Sequence, residues 1–314
     1  MKPLLAMLLL ISLIGILPAQ APAPPAPAKG GEDLQKIVLG VYRVNILFTV
    51  TDRRGRFVTG LTKDDFLVRE GKNTQKILEF TAESNLPLRL AVLIDCSNSI
   101  RDRFRFIQEA AVEFINNVMR PSQDKATVIS FDSAAELQVD LTDDAEKLTQ
   151  TIRSLRAGGA TTLYDAIFYA CRDQLMKDQP RDKFRRAMVI LSDGDDTQSR
   201  YSRDQALEMA QVADVVIYTI STSSVQGNRG DTDGDKVLKY LSSETGGRTF
   251  FPFRVEDLSQ SFENVANELR HQYNILYRPE PMKTDGSYQS VDVRVPKQGN
   301  VVVRARSGYY APKL

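Results

Sequence analysis

The chain has 314 residues, 42% of them hydrophobic and 26% charged, which excludes wholesale disorder and leaves room for two domains. Lys and Arg number 41 against 40 Asp and Glu, and a net charge of +1 excludes a nucleic-acid binder acting through bulk positive charge. A single histidine, His271, excludes a multi-His zinc or iron site, and two cysteines, Cys96 and Cys171, cannot build a zinc cluster.

The N-terminus carries Lys2, an apolar run from Leu4 to Leu17, and the small-x-small triplet Ala19-Gln20-Ala21, the pattern of a secretory signal peptide over 1–21. As a helix the run spans about 21 Å, short of the roughly 30 Å hydrocarbon core, so no membrane span is expected once the signal is cleaved. An Ala/Pro-rich linker follows over 22–34, and the mature protein is expected to be exported, periplasmic or secreted.

Residues 35–84 read as an N-terminal β segment: VYRVNILFTV, a turn at Asp52-Arg53-Arg54-Gly55, then FVTGL, DFLVRE and KILEF. Residues 273–314, with YNILYRP, SYQSVDVRVP and NVVVRARSGYY, repeat that style. Each flank is too small for a core of its own, so the two are expected to pair in one small β-sandwich. Between them, 85–272 alternates strand and helix. The continuous apolar run LRLAVLID is a strand buried on both faces, followed by a helix from about Ile100 to Met119. Next come strands KATVISF and ELQVDL and helices Asp144–Leu155 and Leu163–Met176. Strand RRAMVILSD, helix Ser202–Ala213, strand VVIYTIS, helix Lys236–Ser243, strand RTFFPF and a helix from Val255 to about His271 complete the series. Such alternation predicts an α/β domain with a doubly wound, mostly parallel sheet, binding ligands at the carboxyl ends of its strands.

Three of those ends carry clustered oxygen donors: Asp95-Cys96-Ser97-Asn98-Ser99, Gly158-Gly159-Ala160-Thr161-Thr162, and Asp193-Gly194. Carboxylates and hydroxyls without imidazole or thiolate select a hard cation, Mg²⁺ most naturally, with Mn²⁺ or Ca²⁺ as substitutes.

These three elements in this order resemble the von Willebrand factor type A domain, and the flanking β segments resemble those of a bacterial subgroup of type A-related proteins. The resemblance implies a Rossmann-like fold and a metal-ion-dependent adhesion site. Its ligands would be the hydroxyls of Ser97, Ser99 and Thr161 and the carboxylates of Asp95 and Asp193, partly through water. Asn98 stands where the family commonly has Gly, and Ala160 interrupts the Gly-rich loop, leaving either Thr161 or Thr162 as the threonine ligand. The implied function is non-enzymatic adhesion: a protein partner presents an Asp or Glu side chain that completes the metal's coordination. The alternatives are a Mg²⁺-dependent hydrolase using Asp95 and Asp193, and a structural module without metal. The oligomeric state stays open.

Structural readings compete residue by residue. Ser99-Ile100-Arg101-Asp102 and Thr162-Leu163-Tyr164-Asp165 fit capping boxes, with Asp165 assigned to capping. Asp231-Thr232-Asp233-Gly234-Asp235 looks like a calcium-loop fragment but lacks the downstream Glu, so a solvated loop before a helix is expected. Arg229-Gly230-Asp231 spells an adhesion tripeptide of a length that arises by chance. An exported context permits a disulfide, but Cys96 and Cys171 fit small buried thiols better, and His271 fits a helix C-terminus. G-x-S-x-G, P-loop and G-x-G-x-x-G stretches are absent from the sequence.

Overall fold

The computed structural model describes residues 42–82, 86–180, 183–223, 232–252, 254 and 257–313. The expected signal peptide over 1–21, the Ala/Pro-rich linker over 22–34, residues 35–41 of the N-terminal β segment and the Arg229-Gly230-Asp231 tripeptide lie outside those residues.

The N-terminal flank forms β1 (Val44–Asp52), β2 (Leu67–Glu70), β3 (Asn73–Gln75) and β4 (Ile77–Thr81). The expected strand FVTGL contributes only an isolated bridge, Thr51 to Phe57. There the Asp52 side chain accepts the amides of Arg54 and Arg56 and closes a tight turn, with Gly55 at φ 78.

The middle of the chain forms β5 (Leu88–Asp95), α1 (Phe104–Val118), β6 (Lys125–Phe131), β7 (Ala135–Thr142), α2 (Ala145–Ser154) and α3 (Leu163–Tyr169). It continues with β8 (Arg185–Ser192), α4 (Arg203–Val212), β9 (Val215–Ser221), α5 (Asp233–Thr245), β10 (Thr249–Phe250) and α6 (Asp257–Arg270). Two helices are shorter than their periodicity predicts. Residues Asn98–Arg103 wind as a 3-10 turn before α1, and Ala170–Leu175 widen into a π-helical stretch after α3. Conversely α5 starts three residues early, because the Thr232 hydroxyl accepts the amide of Asp235 and caps it.

The sheet order is β10-β9-β8-β5-β6-β7, parallel except for β7, which pairs antiparallel at one edge. β5 is buried along its whole length because alternate residues meet different helices. Leu90, Val92 and Ile94 pack with α1, α2 and α6, where Phe114 and Phe262 stack at 4.8 Å. Ala91 and Leu93 pack with α3, α4 and α5. Each fully buried Leu, Ile, Val or Phe contributes about 1.5–3 kcal/mol, so the two-sided core explains why the strand reads as an uninterrupted apolar run.

The C-terminal flank supplies β11 (Tyr273–Tyr277), β12 (Tyr288–Arg294), β13 (Val301–Ala305) and β14 (Gly308–Tyr310). These strands interleave with the N-terminal ones in two antiparallel sheets, β13-β1-β11-β4 and β14-β12-β2-β3. Val44, Ile46, Phe48, Phe66, Val68, Tyr273, Ile275, Val291 and Val293 close one core between the sheets. The α/β domain is thus inserted into a sandwich that neither flank could form alone. The other face of β1 turns Leu47 into the α/β core. Among the described residues, no helix is long and apolar enough to cross a membrane.

Candidate metal centre

In this strand order β6 and β8 flank β5 on opposite sides, which makes the carboxyl ends of β5 and β8 a topological switch point. Asp95 is the last residue of β5 and Asp193 follows the last residue of β8. Asp95 is fully buried: its Oδ1 accepts the Ser97 amide at 2.8 Å and its Oδ2 accepts the Ser192 hydroxyl at 2.6 Å. Burial is the main cause that pushes its carboxyl up to about 6, against the hydrogen bonds from Ser192 and Ser97, and the neighbouring Asp193 charge adds to it.

The Ser97 and Ser99 hydroxyls lie 3.0 Å apart, and the Ser99 hydroxyl donates to Asp193 Oδ2 at 2.7 Å. Four of the five ligands expected from the sequence therefore form one hydrogen-bonded chain from Asp95 to Asp193. Ser99 does not cap α1: it sits inside the 3-10 turn with its hydroxyl committed to Asp193.

The Gly158–Thr162 loop docks on the Asp95–Ser99 loop through its backbone. The Gly158 amide donates to the Cys96 carbonyl at 2.6 Å, and the Asn98 amide to the Gly159 carbonyl at 3.2 Å. Gly159 has φ +94, and a Cβ there would lie 2.8 Å from the Ser133 hydroxyl, so the approach needs glycine. Thr161 is buried, its carbonyl accepting the amides of Thr197 and Gln198 and its amide donating to the Thr197 hydroxyl. The neighbouring Thr162 hydroxyl is buried without a hydrogen-bond partner. The capping box expected at Thr162 and Asp165 is absent. The α3 amides of Tyr164 and Asp165 are satisfied instead by Asp196 Oδ2 and the Ser199 hydroxyl, while Asp165 Oδ1 accepts the amides of Arg200 and Tyr201.

Ser192 and Arg103 were not singled out in the sequence. Ser192 is the one hydroxyl closing the apolar run AMVIL before Asp193, a legible signal, and it positions Asp95. Arg103 reaches the carbonyls of Thr222 and Ser99 and lies in the field of Asp193. Cys96 and Cys171 are free, buried thiols; burial first, then the carboxylates of Asp95, Asp132 and Glu136, push Cys96 up to about 12. His271 follows α6, its Nδ1 2.7 Å from the Asn267 carbonyl oxygen and its ring stacked on Phe57 at 4.6 Å.

The donor set is chemically suited to a hard divalent cation. It offers oxygen only, combines two carboxylates with neutral hydroxyls, and buries Asp95 without a basic side chain bonded to it among the described residues. Three or more His, Cys, Asp or Glu side chains do not gather around a common point among those residues, so any such ion would depend on the hydroxyls.

A doubly wound, mostly parallel sheet with oxygen donors clustered at the carboxyl ends of its central strands defines a Rossmann-like class of protein. The sequence model of the von Willebrand factor type A domain matches residues 90–268, more than half of the chain, and this chain belongs to that family. A search of curated proteins finds no match. Among solved structures, proximal thread matrix protein 1 from the mussel byssus, whose printed description includes a zinc-occupied MIDAS motif, is 18% identical. That likeness has a TM-score of 0.50 and covers 62% of this chain and 48% of the mussel protein, so this chain spans about half of its length. An aerotolerance-related membrane protein from Bacteroides fragilis is 16% identical, with a TM-score of 0.46, covering 58% of this chain and 98% of that one. The PilB minor pilin from Streptococcus sanguinis is 14% identical, with a TM-score of 0.47, covering 61% of this chain and 63% of that one.

Proposed function

We propose that this chain is an exported, non-enzymatic binding protein that holds Mg²⁺ at Asp95, Ser97, Ser99, Thr161 and Asp193 and uses the site to capture the Asp or Glu side chain of a protein partner. The observation that carries the reading is the 2.7 Å bond from Ser99 to Asp193, with Ser97 3.0 Å from Ser99, which unites residues far apart in sequence on one rim. Bound there, a divalent cation supplies a Lewis-acidic position that accepts a carboxylate oxygen.

The chain's own residues set up that capture. Ser192 and the Ser97 amide hold Asp95 in place, and the Gly158–Gly159 backbone fixes the loop that carries Thr161. With the three neutral hydroxyls as direct ligands and the two carboxylates acting partly through water, the ion's charge is incompletely offset by the atoms touching it, which favours an incoming anion. Binding rather than turnover fits the described surroundings: Arg103 stays protonated near neutral pH, and His271 is stacked against Phe57.

Isothermal titration of metal-stripped protein with Mg²⁺ and Mn²⁺ tests the site. Ser97→Ala/Ser99→Ala is expected to remove one equivalent of bound ion, and unchanged stoichiometry would overturn the reading. A pull-down from the exported protein pool, with and without chelator, then tests the partner: bands lost in both the chelated and the double-serine samples are the expected ligand.

A further inference from the structure

A second serine pair leaves the same rim. Ser221 is the last residue of β9, with Thr222 and Ser223 just beyond it, and it sits beside Ser192 in register across β8 and β9. At the first site two serine hydroxyls 3.0 Å apart meet the carboxylate of a distant loop. The second repeats that arrangement: the Ser221 and Ser223 hydroxyls are 2.8 Å apart and bond Asp235 Oδ1 at 2.6 and 2.8 Å.

Asp235 is not the solvated loop residue its sequence context suggests. It is fully buried, and its Oδ2, on the carboxylate that faces both serines, is a buried oxygen with no hydrogen-bond partner. The Thr222 hydroxyl between the two serines is likewise buried and unpartnered. The nearby cations are committed elsewhere: Lys236 pairs with Asp233 at 2.8 Å, and Arg103 binds the backbone carbonyls of Thr222 and Ser99. Among the described residues no Lys or Arg pairs with Asp235. A second acid stands close by, since the Asp195 Oδ1 lies 2.9 Å from where a Cβ on Gly234 would be. A buried carboxylate oxygen left without a partner is unfavourable unless a cation or a proton compensates it.

We infer that Asp235, Ser221 and Ser223, with the Thr222 hydroxyl beside them, form a second hard-cation site of the calcium class, separate from the Asp95–Asp193 centre. Ser221 and Asp235 are both fully buried, so the protein itself must supply most of the coordination. Ca²⁺ accepts six to eight oxygens, neutral ones included, whereas Mg²⁺ demands tighter geometry and keeps several waters. The serine protons are directed at Asp235 Oδ1, which leaves hydroxyl lone pairs for the ion.

The test is Ca²⁺ titration calorimetry on the metal-stripped full chain and on its Ser97→Ala/Ser99→Ala variant, each with and without Asp235→Asn. The double-serine variant is expected to retain one Ca²⁺ per chain, and adding Asp235→Asn is expected to weaken that binding by about tenfold or more. Ser223→Ala, a milder change, is expected to weaken it in the same direction and serves if Asp235→Asn does not fold by circular dichroism. Ca²⁺ binding that Asp235→Asn and Ser223→Ala leave unchanged would overturn the inference, Asp235 Oδ2 then holding a proton or a water. So would a double-serine variant that binds no Ca²⁺. A chain that loses its only Ca²⁺ with Asp235→Asn, indifferent to Ser97→Ala/Ser99→Ala, supports this site, while the adhesion centre stands or falls separately on the Mg²⁺ and Mn²⁺ titrations.

Discussion

Ser192 donates its hydroxyl proton to Asp95 Oδ2 across 2.6 Å, and its own oxygen accepts the Gly194 amide at 3.0 Å. One hydroxyl thereby ties the buried carboxylate of β5 to the loop that presents Asp193. In Ser192→Ala, the buried Asp95 oxygen and the Gly194 amide both lose their partner, at a cost of about 1–3 kcal/mol for each group left unsatisfied. The same loss should raise the Asp95 carboxyl above about 6, because the hydrogen bond favours the ionised form. Protons and a cation compete for that carboxylate. Cation affinity is therefore expected to fall as pH drops through about 6 in the native chain, and at higher pH in Ser192→Ala. Mn²⁺ titrations between pH 5 and 8, those limits being about one to two units either side of that value, read the shift. Identical pH profiles for the two proteins would contradict it.

Asp124 predicts an acid-sensitive contribution of the opposite sign. Its burial raises the carboxyl, but the hydrogen bonds from Arg120 and from the Leu88 amide, at 2.7 Å, outweigh that and hold it below its ordinary range. A folded-state value below the unfolded one gives stability that is fully present above about 3.8 and is lost as pH falls through the depressed value. Asp124→Asn should lower the melting temperature at neutral pH and flatten its decline below about pH 4. Thermal melts across that range check it, and parallel pH curves for the two proteins would refute it.

The sandwich, the β/α alternation and the oxygen-bearing strand ends were legible because each is written in local pattern. Period-two alternation marks β12, where buried and exposed residues alternate, and the all-apolar β5 announces burial on both faces. Two features were not legible, and a third only through the family resemblance. Ser99 carries a capping signature yet spends its hydroxyl on Asp193, a neighbour that the resemblance implies and local pattern does not. Asp165 resembles the end of a capping box but serves the Arg200 and Tyr201 amides, while α3 is capped by the Asp196–Ser199 loop. Asp235 sits in a run of aspartates that reads as solvated, and its burial depends on the Ser221 and Ser223 hydroxyls of another element. Local propensity ranks such polar residues as caps and loops, and only long-range packing decides otherwise.

Glu268, on α6, couples the α/β domain to the sandwich. It is almost wholly buried, accepts Arg304 of β13 at 2.6 Å, and has Arg248 at 3.6 Å. Its Oε2 and the Arg304 Nε are buried without partners, so the pair is imperfectly satisfied. Removing one member of a buried pair costs about 3–5 kcal/mol, whereas replacing both with apolar residues is often neutral or stabilising. Arg304→Met is therefore expected to destabilise strongly, and Glu268→Leu/Arg304→Met markedly less than the sum of the single changes. Urea unfolding of the double-mutant cycle measures this, and additive effects would show that the pair is not coupled.

Gly194 and Gly55 test which glycines the fold requires. Both have positive φ, 86 and 78, but Gly55 faces open space, while a Cβ on Gly194 would overlap the backbone of Gly234 at the start of α5. A left-handed conformation alone costs an alanine about 1–2 kcal/mol, the whole penalty expected for Gly55→Ala. At Gly194 the same strain adds to a clash with backbone, which cannot swing away as a side chain can. Relief would require α5 to move from the rim, carrying Asp235 with it, while Asp193 lies one residue before the substitution. Gly194→Ala is thus expected to lose more stability than Gly55→Ala and to weaken Mn²⁺ and Ca²⁺ binding, which Gly55→Ala leaves intact. Chemical denaturation and metal titration of the two variants together check this, and equal stability losses with unaltered metal binding would mean that the two loops do not pack as closely as Gly194 and Gly234 indicate.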